Sequence, residues 1–389
     1  MYSVYIHVPF CMKRCGYCDF NTYTALDLGG GANRENYANL AVREMVLVRQ
    51  WQESQGICEP PAATVFFGGG TPTILPAHDL VRMLHAVRDI WGLEPDAEVT
   101  AEANPDTVDD RYIAELKDGG FTRISFGMQS AVPSVLATLD RTHTPANVEA
   151  GVAAARRYGL RSSVDLIYGT PHESEDDWRM SIRTALSLGV THVSAYALTV
   201  EPHTSMGRRI AGGKLAGPSD DDQASKYCIA DDMFSRAGLW WYEISNWAAA
   251  GDESRHNLGY WHNADWAGIG PGAHSHYNAA RLRAWDIAHP KRWAEAMDAE
   301  AVPWQGSEKA SDSEDLEERI MLGLRIRDGL KISEISRLAG RQPAEGCIDS
   351  LIGDGLITYD PSRSAVVPTV RGRLLNDLVI GKLFEAYGL

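Results

Sequence analysis

Tyr2-Ser-Val-Tyr-Ile-His-Val-Pro-Phe-Cys11-Met-Lys-Arg-Cys15-Gly-Tyr-Cys18 stands at the start of the chain, and the reading of everything after it depends on this stretch. Tyr2 to Val8 alternates and is rich in β-formers, which predicts a first strand running straight into a cysteine loop. Three of the six cysteines fall here at C-x3-C-x2-C spacing. Thiolates this dense point to a metal or a cluster rather than to disulfides. A structural zinc site asks for four ligands, usually from a second C-x2-C or a histidine pair, and the chain has neither. His7 is the one nearby residue able to complete a zinc set, and the alternation puts it inside the strand. Four-iron clusters are normally held by four thiolates. Three thiolates would leave one iron open to a small molecule.

Composition narrows the class. With 389 residues, 44% apolar and 23% charged, the chain can form one large globular domain and a small one. Its net charge of 37 − 52 = −15 argues against nucleic-acid partners. No apolar run approaches the ~18 residues of a membrane span. The opening M-Y-S-V-Y-I-H has no basic segment, so no signal or transit peptide is expected. Cys58, Cys228 and Cys347 are scattered singly and read as buried small apolar residues. A reducing, cytoplasmic setting is the expectation.

Outward from the cysteine loop, strand and helix patterns alternate. Strands are predicted at Thr64–Phe67, Glu98–Ala103, Arg123–Met128, Arg161–Ile167 and Val190–Leu198, with helical spacing between them, for example over 35–53, 76–91 and 175–188. This rhythm predicts a parallel sheet with right-handed crossovers. Alternation alone suggests a closed eightfold barrel. Only six clean units can be counted, so the expected fold is α/β, an open, partial (β/α)6 TIM-like barrel over residues 1–218. The informative residues gather at or just past the carboxyl ends of the strands, where such folds place function. They are Gly68-Gly69-Gly70-Thr71, Glu102, Gln129, Asp165 and Ala197. The glycine run lacks the G-K-S/T of a phosphate loop, but it lets backbone approach a ligand closely. Glu102 and Asp165 can accept hydrogen bonds from hydroxyls or an ammonium group, and Arg141 can fork onto a carboxylate.

After Pro218 the alternation stops. Residues 219–305 read as a barrel extension, with a helix over 220–237, an aromatic strand over 240–247 and the motif His256-Asn-Leu-Gly-Tyr260-Trp261. Residues 306–389 form a third unit: a polar linker over 307–312, helices over 314–327, 332–338 and 344–353, and a hairpin over 356–359 and 365–368. This pattern predicts a winged-helix-like α+β domain. Its charge, 11 − 14 = −3, and the acidic Glu345 and Asp349 on the would-be recognition helix argue against DNA binding. A cover for the barrel mouth or a protein-docking surface fits better.

C-x3-C-x2-C, preceded by Tyr5-Ile-His-Val-Pro-Phe and followed by Asp19-Phe20, resembles the radical S-adenosylmethionine (SAM) superfamily and its coproporphyrinogen dehydrogenase branch. Within that branch, C-D-F and H-N-x-x-Y-W resemble the HemW-type heme chaperones, and the likeness runs over nearly the whole chain. It implies that Cys11, Cys15 and Cys18 hold a 4Fe–4S cluster whose open iron chelates SAM, which one-electron reduction can cleave to a 5′-deoxyadenosyl radical. It implies SAM contacts for Tyr5, Gly69, Glu102, Gln129, Arg141, Asp165 and Ala197. Tyr17, Gly70 and Thr71 match positions that serve a second SAM in the coproporphyrinogen enzymes. His256 is then either a heme ligand, with Tyr260 and Trp261 stacking on the porphyrin, or a hydrogen-bonded member of a packed rim. The implied partners are heme, recipient hemoproteins, an electron donor such as a flavodoxin or ferredoxin, and a second copy in a homodimer. Two functions follow from the likeness: heme chaperone, or oxygen-independent coproporphyrinogen III dehydrogenase. A non-catalytic cluster scaffold or sensor is the third reading. The dehydrogenases carry a fourth cysteine where this chain has Phe20, and an N-terminal segment helps them enclose substrate. Both departures favour the chaperone.

Overall fold

The computed structural model describes all 389 residues. Six strands follow one another as the alternation predicts: β1 (Tyr2–Val8), β2 (Ala62–Gly69), β3 (Leu93–Ala103), β4 (Arg123–Gln129), β5 (Arg161–Tyr168) and β6 (His192–Ala197). Each pairs in parallel with the next, and helices such as Tyr37–Ser54, Ala77–Trp91 and Glu175–Ser187 form the crossovers. Local signals fix these helices. Ser174 and Asp177 make a reciprocal capping box before the last of them.

The sheet does not close. It continues on both sides, through β7 (Trp240–Glu243), β8 (Asn246–Ala248), β9 (Asp265–Ile269), β10 (His274–Tyr277), β11 (Leu282–Asp286) and β12 (Trp304–Lys309). The order is β12-β11-β10-β9-β1-β2-β3-β4-β5-β6-β8-β7, twelve strands in one open sheet. The partial (β/α)6 barrel is therefore the middle of a larger sheet. β9 joins β1 in parallel, and the strands outside that unit run antiparallel.

Alternation along the strands sorts the side chains by chemistry. Ile124, Phe126 and Met128 of β4, like Val164 and Leu166 of β5, point outward into a single core of 58 buried apolar residues beneath the helices. Each such side chain contributes about 1.5–3 kcal/mol of burial. The intervening residues face inward and are small or polar: Thr100 and Glu102, Ser125 and Gly127, Ser163 and Asp165, His192 and Ser194. The barrel interior is thus a polar chamber, not a packed core.

Several expectations need correction. The aromatic stretch over 240–247 is not one strand. It breaks at Ile244-Ser245 into the β7–β8 hairpin, where Glu243 accepts from the Ser245 amide. The polar stretch over 307–312 is not a free linker, because β12 pairs with β11 as far as Lys309 and a capped helix starts at Asp312. Its alternating polar residues suit an edge strand with little burial. Cys58 and Cys228 are exposed, and Cys347 is half-buried.

The C-terminal unit has its own core of 13 residues, three helices (Asp312–Gly323, Ile332–Ala339, Cys347–Gly353) and the hairpin β13 (Ile357–Asp360) and β14 (Ala365–Pro368). A closing helix, Asn376–Tyr387, completes it. This winged-helix-like unit does not cover the barrel mouth. It docks on β7, where Arg327 donates to the Tyr242 carbonyl at 2.9 Å, and Arg373 forks onto Asp231 while lying 4.4 Å from the Trp241 ring. No residue of the unit lines the barrel cavity.

Candidate functional site

A cavity of about 600 Å³ runs from the cysteine loop into the barrel. Cys11, Cys15 and Cys18 line it, together with Tyr5, Tyr17, Gly69, Gly70, Thr71, Glu102, Gln129, Arg141, Asp165 and Ala197. The cysteine loop and every residue matched to a SAM contact thus share one space, although they come from all six parallel strands or the loops after them.

Backbone pairing fixes the cysteine loop to the glycine run. The Gly70 amide donates to the Val8 carbonyl and the Thr71 amide to Phe10, both at 2.8 Å. Gly70 must lack a Cβ, since one built there would lie 2.6 Å from the Phe10 oxygen. Gly69, at φ +104°, leaves room for the His7 ring, which an added Cβ would approach to 2.6 Å. That ring is fully engaged: Nε2 donates to the Asn21 carbonyl at 3.0 Å and Nδ1 accepts from the Tyr5 hydroxyl at 3.1 Å. His7 is therefore unavailable as a zinc ligand.

The thiols have specific neighbours. Thr71 Oγ1 lies 3.7 Å from the Cys11 sulfur and Arg141 Nη1 lies 3.4 Å from that of Cys15. With His7 engaged, the loop offers three thiolates, where a structural zinc site asks for four ligands. A cube of four irons needs its thiolates at separate corners, so the donor set fits a cluster better than zinc. These residues would hold the cluster, and its open iron would supply a coordination position to SAM.

Deeper in, two carboxyl groups dominate. Burial, with Asp165 nearby, pushes the Glu102 carboxyl up to about 8, although the Gly69 amide donates to it. Burial also raises Asp165, held by a hydroxyl relay in which Ser163 donates to Ser125, and Ser125 to Asp165 at 3.1 Å. Gln129 closes β4 in a left-handed conformation, φ +61°, a strain that clusters at functional sites. Arg141 is fixed on three sides: by Cys15, by Asn104 Oδ1 at 2.7 Å and by the Gly127 carbonyl at 3.0 Å. Sequence reading missed Asn104, Ser125 and Ser163. The signal for the two serines was present, as small polar residues at every second position of otherwise apolar strands.

The H-N-x-x-Y-W motif forms the helix Arg255–Trp261, and it does not act as one patch. His256 and Tyr260 line the barrel cavity. The His256 ring stacks on Phe66, with centroids 5.0 Å apart; Nδ1 bonds Thr64 at 2.7 Å and Nε2 bonds Tyr260 at 2.9 Å. Both ring nitrogens are engaged, only 2% of the residue is exposed, and burial lowers its pKa to about 3. This is the packed-rim arrangement. Trp261 falls off that side of the helix, outside the barrel cavity, and borders a second cleft. The three residues matched to a heme site are thus split between two faces.

Comparison with known proteins follows the same lines. The radical SAM superfamily model matches residues 5–185 and the HemN C-terminal domain matches residues 310–375. The chain is 43% identical over 384 residues to a Mycobacterium tuberculosis protein named heme chaperone HemW, covering 98% of this chain and 94% of that one. It is 33% identical to the Bacillus subtilis protein of the same name, covering 98% of each. Among solved structures, coproporphyrinogen III oxidase (HemN) from Escherichia coli shares the fold at TM-score 0.80 and 20% identity, over 99% of this chain and 89% of that one.

Proposed function

Because the chain belongs to the HemW heme-chaperone family of radical SAM proteins, we propose that it binds heme and passes it to recipient hemoproteins. The observation that carries this reading is 43% identity sustained over 98% of the chain, so that cysteine loop, extension and C-terminal unit all align with a heme chaperone. Cys11, Cys15 and Cys18 hold the 4Fe–4S cluster, and the barrel cavity takes SAM. Glu102 and Asp165 face its hydroxyl and ammonium groups, and Arg141 faces its carboxylate. Heme transfer or pairing of two copies would be gated by whether these residues hold the cluster and SAM. A flavodoxin or ferredoxin supplies the electron where the cluster is reduced. The protein acts in the cytoplasm, and no helix is long and apolar enough to cross a membrane.

Coproporphyrinogen III dehydrogenase is the second reading, favoured by the shared fold. Against it, Phe20 stands where those enzymes carry a fourth cysteine, with 62% of its surface exposed beside the mouth. Heme transfer is tested by loading the cluster-reconstituted protein with one equivalent of hemin and adding an apo-hemoprotein. Transfer faster than from free hemin supports the chaperone; retention of heme, or transfer at the free-hemin rate, counts against it.

A further inference from the structure

The helix Arg255–Trp261 hides His256 in the barrel but turns its other side to a second cavity. This cleft, about 440 Å³, lies between the barrel extension and the C-terminal unit. Its size falls within the range of cofactor pockets. Trp261 forms one wall, with the Arg325 guanidinium 6.0 Å from its ring, and half-buried Leu322 adds apolar surface over the buried Ile326 and Ile335. Beside Trp261 stands His262, its side chain 48% exposed. Its Nε2 lies 3.3 Å from Asp328 Oδ2, and Nδ1 makes no hydrogen bond. A carboxylate holding one ring nitrogen while the other is free is the arrangement that orients imidazole for a metal.

The polar groups of the cleft complete the picture. Asn263 is only 7% exposed, yet its Nδ2 has no partner. A buried donor without an acceptor is costly unless a ligand supplies one. Lys331 makes no ion pair, unlike Arg319, which binds Asp315, and Arg363, which binds Asp360 and Asp328. Glu334 is the remaining acidic residue lining the cleft. An aromatic and aliphatic wall, one oriented imidazole and spare donors beside it suit a flat metalloporphyrin with carboxylate side arms.

We propose that heme is seated in this interdomain cleft, with His262 as its axial ligand and Lys331 and Asn263 facing its propionates. This inference rests on the heme-chaperone reading and moves the seat from the buried to the outer side of the motif helix. Heme bound there touches both the extension and the C-terminal unit, so a shift between the two would release it.

The test is hemin titration of the full-length, cluster-reconstituted protein, followed by Soret difference absorbance and low-temperature electron paramagnetic resonance. His262→Ala should lose the histidine-ligated spectrum and weaken hemin binding by roughly tenfold or more, with folding checked by circular dichroism. Lys331→Glu should weaken hemin by roughly tenfold and leave hemin dimethyl ester, which lacks free propionates, unaffected. His274→Ala, an exposed imidazole outside the cleft, should match wild type. An unchanged spectrum and affinity in His262→Ala would overturn the seat while the chaperone reading stands. Wild-type protein that binds no hemin would remove both.

Discussion

Arg141 donates from Nη1 to the Cys15 sulfur at 3.4 Å while its Nη2 holds Asn104 and the Gly127 carbonyl, so one guanidinium ties the cysteine loop to the ends of β3 and β4. A planar donor with fixed forks can do this, and an ammonium on a flexible stem cannot. Arg141→Lys should keep the fold but lower SAM affinity by roughly tenfold, and Arg141→Ala by roughly tenfold to a hundredfold, as expected for loss of charge-assisted bonds. Isothermal titration on cluster-reconstituted protein measures both. Equal affinity in the lysine variant would show that the fork is not used.

Cys15→Ala should abolish the iron–sulfur absorbance and leave the far-ultraviolet circular dichroism unchanged, because Cys15 contributes no buried apolar surface to the core of the barrel. A full cluster complement in this variant would reassign the ligands.

Glu102 sets a pH dependence whose sign can be worked out. Its carboxyl is raised from 4.5 to about 8, chiefly by burial and then by Asp165. The folded protein without ligand therefore holds a proton that the unfolded chain gives up, and its stability should fall as pH rises from about 5 through 8. Cationic SAM favours the carboxylate, so SAM affinity should rise with pH over about 6 to 8 and level off above that. Glu102→Gln should flatten the affinity profile. A profile that stays steep in the Gln variant would place the titrating group elsewhere.

Lys226 is fully buried between Glu173 Oε2 at 3.1 Å and Asp222 Oδ2 at 2.7 Å, tying the loop after β5 to the helix Asp220–Arg236. Lys226→Met strands the Glu173 carboxylate and should cost about 3–5 kcal/mol, read by urea unfolding. Adding Glu173→Gln should restore part of the loss. If the single variant is as stable as wild type, the pair contributes nothing.

The sequence disclosed the barrel through its period-two strands and the cluster loop through cysteine spacing, because both are local patterns. Gly69 and Gly70 were legible as a close backbone approach, although what they approach, the His7 ring and the Phe10 carbonyl, lies on another strand. Asn104 could not be read, since its role exists only where β3 and Arg141 meet. β9 to β12 were missed because they are short and rich in histidine, glycine and charge, and only pairing makes them strands: β9 on β1, then each on the one before. The H-N-x-x-Y-W motif was legible as a unit but not in its division. Positions 256 and 260 share one side of a helix and 261 falls off it, so which side meets the barrel depends on how the helix docks.

The most direct test of the central claim is an anaerobic turnover assay on cluster-reconstituted protein with SAM, a low-potential reductant and coproporphyrinogen III, read by mass spectrometry. The chaperone account predicts no loss of carboxyl groups from the porphyrinogen, with the cluster verified intact and hemin bound by the same preparation. Conversion to a product lacking two carboxyl groups, with 5′-deoxyadenosine formed alongside, would contradict it and make the protein a porphyrin-synthesising enzyme.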